Sequence, residues 1–259
     1  MAPFKNAIIV LFCFIIGHTI HAQQPVEQDT LPLAYAKNTR FNYKQLIIPV
    51  ALMSYGVIGI ESDFIKSINS EINEEVVENI DRKISIDDFS QYAPVAAVYG
   101  LNAMGIKGKN NFKDRSIIMG TSFLLMSTSV LLLKSSTKIT RPDGSSKNSF
   151  PSGHTATAFA GAEFLWQEYK DVSIWYGISG YVVATGTGFF RIYNDRHWLT
   201  DVAMGAGIGM LSTKIAYWVY PLLNKKRNTP DVYKNNSTTM IAPFYNGKEG
   251  GLSIVIHLE

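Results

Sequence analysis

Three short stretches of this 259-residue chain hold most of the groups able to act as acid, base or nucleophile. The first carries Lys134, Arg141 and Pro142, the second is Pro151, Ser152, Gly153 and His154, and the third carries Arg191, His197 and Asp201. His197 and Asp201 stand four residues apart, so on a helix they share a face and the carboxylate can accept a hydrogen bond from one ring nitrogen. That bond fixes the tautomer and leaves the other nitrogen free to attack. Asp195, two residues from His197, lacks the spacing to share its helix face. Ser152 and Gly153 follow Pro151 as a helix start, where free backbone N–H groups and the positive end of the dipole favour an anion. Arg141 and Arg191 offer planar donor forks suited to phosphate oxygens, and Lys134 adds a point charge.

Together these groups describe a phosphoryl site. His197 attacks phosphorus, His154 protonates the leaving oxygen, and His154 then takes a proton from water to release phosphate from His197. The cations hold the charge that grows on the equatorial oxygens. No metal and no cofactor is expected, because residues 23–259 contain no cysteine and the sequence displays no evident cluster of carboxylates or paired histidines. Each group alone is ordinary: Ser-Gly after Pro opens many helices, Arg191 and Lys134 suit a membrane edge, and a His and an Asp four apart are common on surfaces. Here all three appear in order along one chain.

That ordered set closely resembles the type 2 phosphatidic acid phosphatase superfamily, which also includes bacterial class A acid phosphatases and vanadium haloperoxidases. The family pattern runs Lys, six residues, Arg-Pro; then Pro-Ser-Gly-His; then Ser-Arg, five residues, His, three residues, Asp. Here Lys134 precedes Arg141 and Pro142 by that spacing, 151–154 is complete, and Arg191, His197 and Asp201 keep theirs. Phe190 stands where the family usually has Ser, which touches the positioning of Arg191. The resemblance covers roughly residues 89–223. It implies an all-helical bundle with His197 as nucleophile, Asp201 as its orienting carboxylate and His154 as acid and base. Lys134, Arg141, Ser152, Gly153 and Arg191 would hold the phosphate.

The elements that must position these groups are apolar. Residues 1–22 read as a secretory signal, with Lys5, an apolar run over 7–17 and Ala22 at the cut. Residues 23–88 form a polar lead-in with peripheral helices, 89–223 the helical phosphatase domain and 224–259 a tail. The stretch 46–60 contains Pro49 and falls short of the ~20 residues needed to cross a bilayer. Ile68, Ile72, Val76, Val77 and Ile80 recur at helical spacing in 62–88, which fits a helix packed outside the bundle. Five apolar segments follow: 89–106, 116–133, 155–166, 172–190 and 202–223. Glu163 and Lys214 interrupt two of them and must face the interior or water. The expected fold is therefore all-α, a membrane-embedded bundle of about five or six apolar helices. Strand-like 237–245 and 252–258 end the chain as a hairpin.

Basic residues cluster at Lys107, Lys109, Lys113 and Arg115 and again at Lys225, Lys226 and Arg227. If the five segments alternate, both clusters face the cytoplasm and the three reactive stretches face the periplasm from the cytoplasmic membrane. A cleaved signal then requires that 46–60 not cross. The net charge of +3 forms no basic stripe with interleaved aromatics, so nucleic acid is not an expected partner. Membrane and phosphorylated lipid are the expected partners: phosphatidic acid, phosphatidylglycerol phosphate, undecaprenyl diphosphate or a lipid A phosphate. A soluble periplasmic acid phosphatase and a vanadate-dependent haloperoxidase are the alternative readings. Nothing in the sequence sets an oligomeric state.

Overall fold

The computed structural model describes residues 43–78, 83–223, 239–245 and 250–256. Among these residues there are eight α-helices and one antiparallel pair of strands. A 3-10 turn over Tyr43–Leu46 runs straight into α1 (Ile47–Glu61), followed by α2 (Asp63–Val77), α3 (Ile86–Ser90) and α4 (Ala93–Ala103). The long helices are α5 (Phe112–Thr137), α6 (Gly153–Tyr169), α7 (Ile174–Tyr193) and α8 (Leu199–Leu223).

Local signals set the ends. Ser62, Asn111, Ser152 and Ser173 each cap a helix, their side chains accepting from the N–H of Ile65, Asp114, Thr155 and Trp175 respectively. Lys138 closes α5 with φ of +50°, the left-handed stop that turns the chain away from the helix. β1 (Thr239–Tyr245) and β2 (Gly250–Ile256) pair from Thr239↔Ile256 to Tyr245↔Gly250, as the hairpin reading of the tail expects. The proposed signal, 1–22, lies outside the described residues.

α6 and α8 are the centre of the bundle. α6 packs on α7 and α8, while α8 also packs on α1 and α5. Small residues make that close packing possible: a Cβ added at Gly205 would lie 2.4 Å from the Ser152 carbonyl oxygen, and one at Gly209 would lie 2.3 Å from that of Ala156. The helices therefore touch backbone to backbone, and the approach brings the start of α6 against the start of α8. Buried Met126, Val130, Phe150, Ala156, Met204 and Ile208 pack directly beneath that junction.

Glu163 and Lys214 face the interior as expected. Lys214 Nζ donates to Glu163 Oε1 at 2.7 Å, with Gln167 Nε2 on the same oxygen at 2.6 Å and the Tyr181 hydroxyl on the other. A buried charge is tolerable when it is paired and hydrogen-bonded in this way.

Three helices are long and apolar enough to cross a membrane: Tyr43–Glu61, Phe112–Thr137 and Leu199–Leu222. Ile48, Val57, Leu124, Leu131 and Leu132 stand exposed on the first two, an apolar outer face suited to lipid. Two expectations change here. Residues 46–60 belong to a 19-residue helical run rather than to a stretch too short to cross, because helix geometry begins at Tyr43 and Pro49 falls in the first turn of α1, a position that helices tolerate. The expected alternation of segments with a non-crossing 46–60 loses its support. Residues 89–106 are not one helix, since the turn at Gln91 and Tyr92 separates α3 from an α4 of only 11 residues.

The bundle has two chemically different ends. One carries the C-terminal end of α5 and the starts of α6 and α8. At the other, the Lys109 N–H donates to the Glu168 carbonyl at 2.9 Å, which places the basic 107–115 loop beside the far end of α6.

Candidate active site

The loop 138–152 and the turn 194–198 are zipped together over the ends of α5, α6, α7 and α8. The Ser149 N–H donates to Ile139 O at 2.9 Å, Ser152 N–H to Asp201 O at 3.0 Å, and the Trp198 indole N–H to Thr140 O at 3.0 Å. Arg196 Nη1 meets Asp143 Oδ2 at 2.9 Å across the same seam. Asp195, with φ of +59°, turns its carboxylate to Asn73 at 3.1 Å and leaves the His197 partnership to Asp201.

His197 precedes α8 rather than lying on it, so the shared helix face expected of the pair is not how they meet. Asp201 sits in the first turn of α8 and reaches back to accept from the Trp198 N–H at 2.9 Å, the return half of a capping box. The same Oδ2 accepts from the Ser149 hydroxyl and stands 3.5 Å from His197 Nδ1. That separation is an ion-pair distance rather than a formed hydrogen bond, and Nδ1 is buried with no other partner. Resting active sites often hold such pairs long until substrate arrives. The ring is 1% exposed, and its burial lowers its pKa to about 4, with Arg191 and Lys134 adding to the effect and Asp201 opposing it. The imidazole is therefore neutral near pH 7, with one nitrogen directed at a carboxylate.

Arg191 and Lys134 act on this ring, and Arg141 acts on Lys134 in turn. Lys134, in the last turn of α5, donates to the Asn148 carbonyl, and its charge acts on both Arg141 and Arg191. Burial, then Arg191 and Arg196, hold the Arg141 guanidinium below its usual range. Arg141 Nε and Arg191 Nε are both buried without an acceptor. Buried donors are rarely left unmatched, so two of them in one cationic cluster mark a place for an anion. Ser152 is the cap of α6, its hydroxyl paired with Thr155 Oγ1 at 2.9 Å, and Gly153 is the first residue of that helix. Phe190, where the family has Ser, packs edge to face on Phe189 and Tyr193.

Two carboxylates that the sequence reading misses complete the site. Asp87, on α3, forms a buried ion pair with Arg191 Nη1 and accepts from Asn194 Nδ2 at 2.9 Å. Asp88, its neighbour, lies 2.9 Å from His154 Nε2. Asp88, His154, Arg141, Arg191, Arg196 and Lys83 line a cavity of about 330 Å³. A second cavity of about 400 Å³ flanks Asp201, lined largely by apolar groups of Gly59, Ile60, Ile139 and Trp198 with Lys66 among them. Ligand atoms of Asp87, Asp88 and His154 lie within 4.8 Å of one another, a grouping absent from the sequence reading. Their fit to a cation is poor, since Asp87 is committed to Arg191 and Asn194 while Asp88 is committed to His154.

Residues 130–225 match the family model of the PAP2 superfamily. Over 139 residues, 53% of this chain and 31% of the relative, the sequence is 41% identical to a lipid A 1-phosphatase of Porphyromonas gingivalis. Over 77 residues, 30% of this chain and 36% of the relative, it is 35% identical to the bacitracin transport permease protein BcrC of Bacillus licheniformis. The chain thus spans about a third of the length of these curated relatives. The crystal structure of a transmembrane PAP2-type phosphatidylglycerolphosphate phosphatase from Bacillus subtilis shares the fold, with a TM-score of 0.50 and 22% identity over 71% of this chain and 98% of that one. The segment that matches the PAP2 superfamily model contains every position from Lys134 to Asp201.

Proposed function

We propose that this protein is a lipid phosphatase that works through a phosphohistidine on His197 without a metal. The observation that carries the reading is the buried, neutral His197, backed by Asp201 and set among Lys134, Arg141 and Arg191. His197 Nε2 attacks phosphorus as the bond to the leaving oxygen breaks, and His154 gives that oxygen its proton. His154 then takes a proton from water, the hydroxide attacks the phosphohistidine, and phosphate leaves with His197 neutral again. Lys134, Arg141, Arg191 and the backbone N–H of Gly153 at the start of α6 hold the three equatorial oxygens.

The substrate is a phosphorylated lipid. The apolar cavity beside Asp201 and the exposed apolar faces of α1 and α5 give a lipid tail a place next to the site. Identity of 41% to a lipid A 1-phosphatase favours a phosphate on a lipid A-type sugar within that class. The site lies at the end of the bundle opposite the basic 107–115 loop, so the positive-inside bias directs it to the periplasmic face of the cytoplasmic membrane.

Phosphate release by the purified protein tests this, with phosphatidic acid, phosphatidylglycerol phosphate, undecaprenyl diphosphate, lipid A and a water-soluble ester as the panel. Release from at least one lipid, unaffected by EDTA, is expected. Silence on the whole panel, or EDTA inhibition reversed by a divalent metal, would overturn the reading.

A further inference from the structure

α3 is only five residues long, yet it is fastened to α7 at both ends. Asn194 bonds both backbone groups of Ile84, at 2.9 and 2.8 Å, and Ser90 Oγ lies 2.8 Å from Thr187 Oγ1. Asp87 is spent on Arg191 and Asn194. Asp88 is half exposed, 54% by its side chain, and meets one partner, His154 Nε2, at 2.9 Å. A carboxylate held by a pinned helix against a ring nitrogen is the arrangement that fixes a histidine's tautomer.

Resting on the phosphatase reading above, we propose that Asp88 is the positioning carboxylate of His154, so that each histidine of the site works with its own aspartate. Asp88 keeps the Nε2 proton in place and leaves Nδ1 for the proton that moves. The charged groups around His154 are Asp87 and Asp88 from α3 and Arg191 from α7, with Arg141, Arg196 and Lys83 around the same cavity. Burial and Arg191 favour the neutral ring, and the hydrogen bond to Asp88 is the foremost opposing influence. Removing it lowers the fraction of His154 that carries the proton the leaving oxygen needs. An alkyl phosphate, whose leaving group must be protonated, therefore suffers more than an aryl phosphate, whose leaving group departs unaided.

The test compares the full-length wild type with Asp88→Asn and Asp88→Glu, reading kcat/KM against pH on a lipid phosphate and on p-nitrophenyl phosphate. For Asp88→Asn the expected result is a loss of about 10²-fold on the lipid phosphate, a much smaller loss on the aryl ester and a basic limb moved to lower pH. Asp88→Glu should restore most of the rate. Equal losses on both esters with an unmoved basic limb would reduce Asp88 to a structural role and overturn the proposal, as would an unchanged Asp88→Asn enzyme. A wild type silent on both esters would sink the phosphatase reading instead. The His154–Asp88 pair is still decided in that case by ¹⁵N NMR of the His154 ring: Asp88→Asn lowers its pKa if the pair is real and leaves it unmoved if it is not.

Discussion

Lowering the pH is the perturbation that most clearly separates His197 from an ordinary histidine. Burial, reinforced by Arg191 and Lys134, carries its pKa from 6.5 to about 4 in spite of Asp201. At about 1.4 kcal/mol per pH unit, protonating this ring costs about 3 kcal/mol more than protonating one in water. At pH 5 about nine-tenths of the enzyme then still holds a neutral nucleophile, against about 3% for an unshifted histidine. The acid limb of kcat/KM should therefore fall near pH 4, followed by phosphate release from a soluble or detergent-dispersed ester between about pH 3.5 and 7. Asp201→Asn removes the influence that raises the pKa, so it should move the limb further to acid while slowing turnover by about 10²- to 10⁴-fold through loss of the oriented tautomer. The same shift acts on stability. The unfolded chain binds this proton first, so the contribution of the neutral buried ring is intact above about pH 6.5 and is lost as the pH falls toward 4. Thermal melts across the same range separate unfolding from protonation. An acid limb at pH 6 to 6.5 in a protein that stays folded would refute the assignment of a buried neutral His197.

Gly205→Ala should cut kcat by at least about tenfold, because its Cβ would lie 2.4 Å from Ser152 O and displace the start of α6 from Asp201. Gly209→Ala, one turn deeper, should lower the melting temperature with a smaller loss of kcat. Arg191→Lys should lower kcat/KM about 10²-fold or more, since a point charge replaces the fork that meets Asp87 and faces the phosphate. Lys214→Met should destabilise the bundle by about 3 to 5 kcal/mol by leaving Glu163 buried and unpaired, and adding Glu163→Gln should recover much of it, as read from thermal unfolding in detergent.

The eight positions proposed for the site stand out in the sequence because their residue types recur at spacings that loops and helix starts fix locally. The seam between 138–152 and 194–198 brings them together, and the start of α6 at Gly153 follows directly from Pro151 and Ser152. What stays hidden depends on long-range pairing. Asp87 finds Arg191 across 104 positions, Asp88 finds His154 across 66, and Ser149 finds Asp201 across 52, and no local period announces any of them. Asp87 and Asp88 look in sequence like a solvated helix start. The misjudged length of 46–60 has a different cause, since a 3-10 turn extends the helix ahead of its apolar run and Pro49 falls where a helix tolerates it. The break in 89–106 follows from Gln91 and Tyr92, which form a turn that apolar periodicity alone does not mark.

The measurement that reaches the central claim most directly is capture of the covalent intermediate. His154→Asn, which lacks the base that activates water, should accumulate a phosphoryl group when mixed with p-nitrophenyl phosphate, whose leaving group departs without a proton, and quenched in alkali. Peptide mass spectrometry should then place an acid-labile phosphate on His197. A phosphoryl group on any other residue, or turnover by wild type with inversion at phosphorus and no trapped intermediate, would contradict the account.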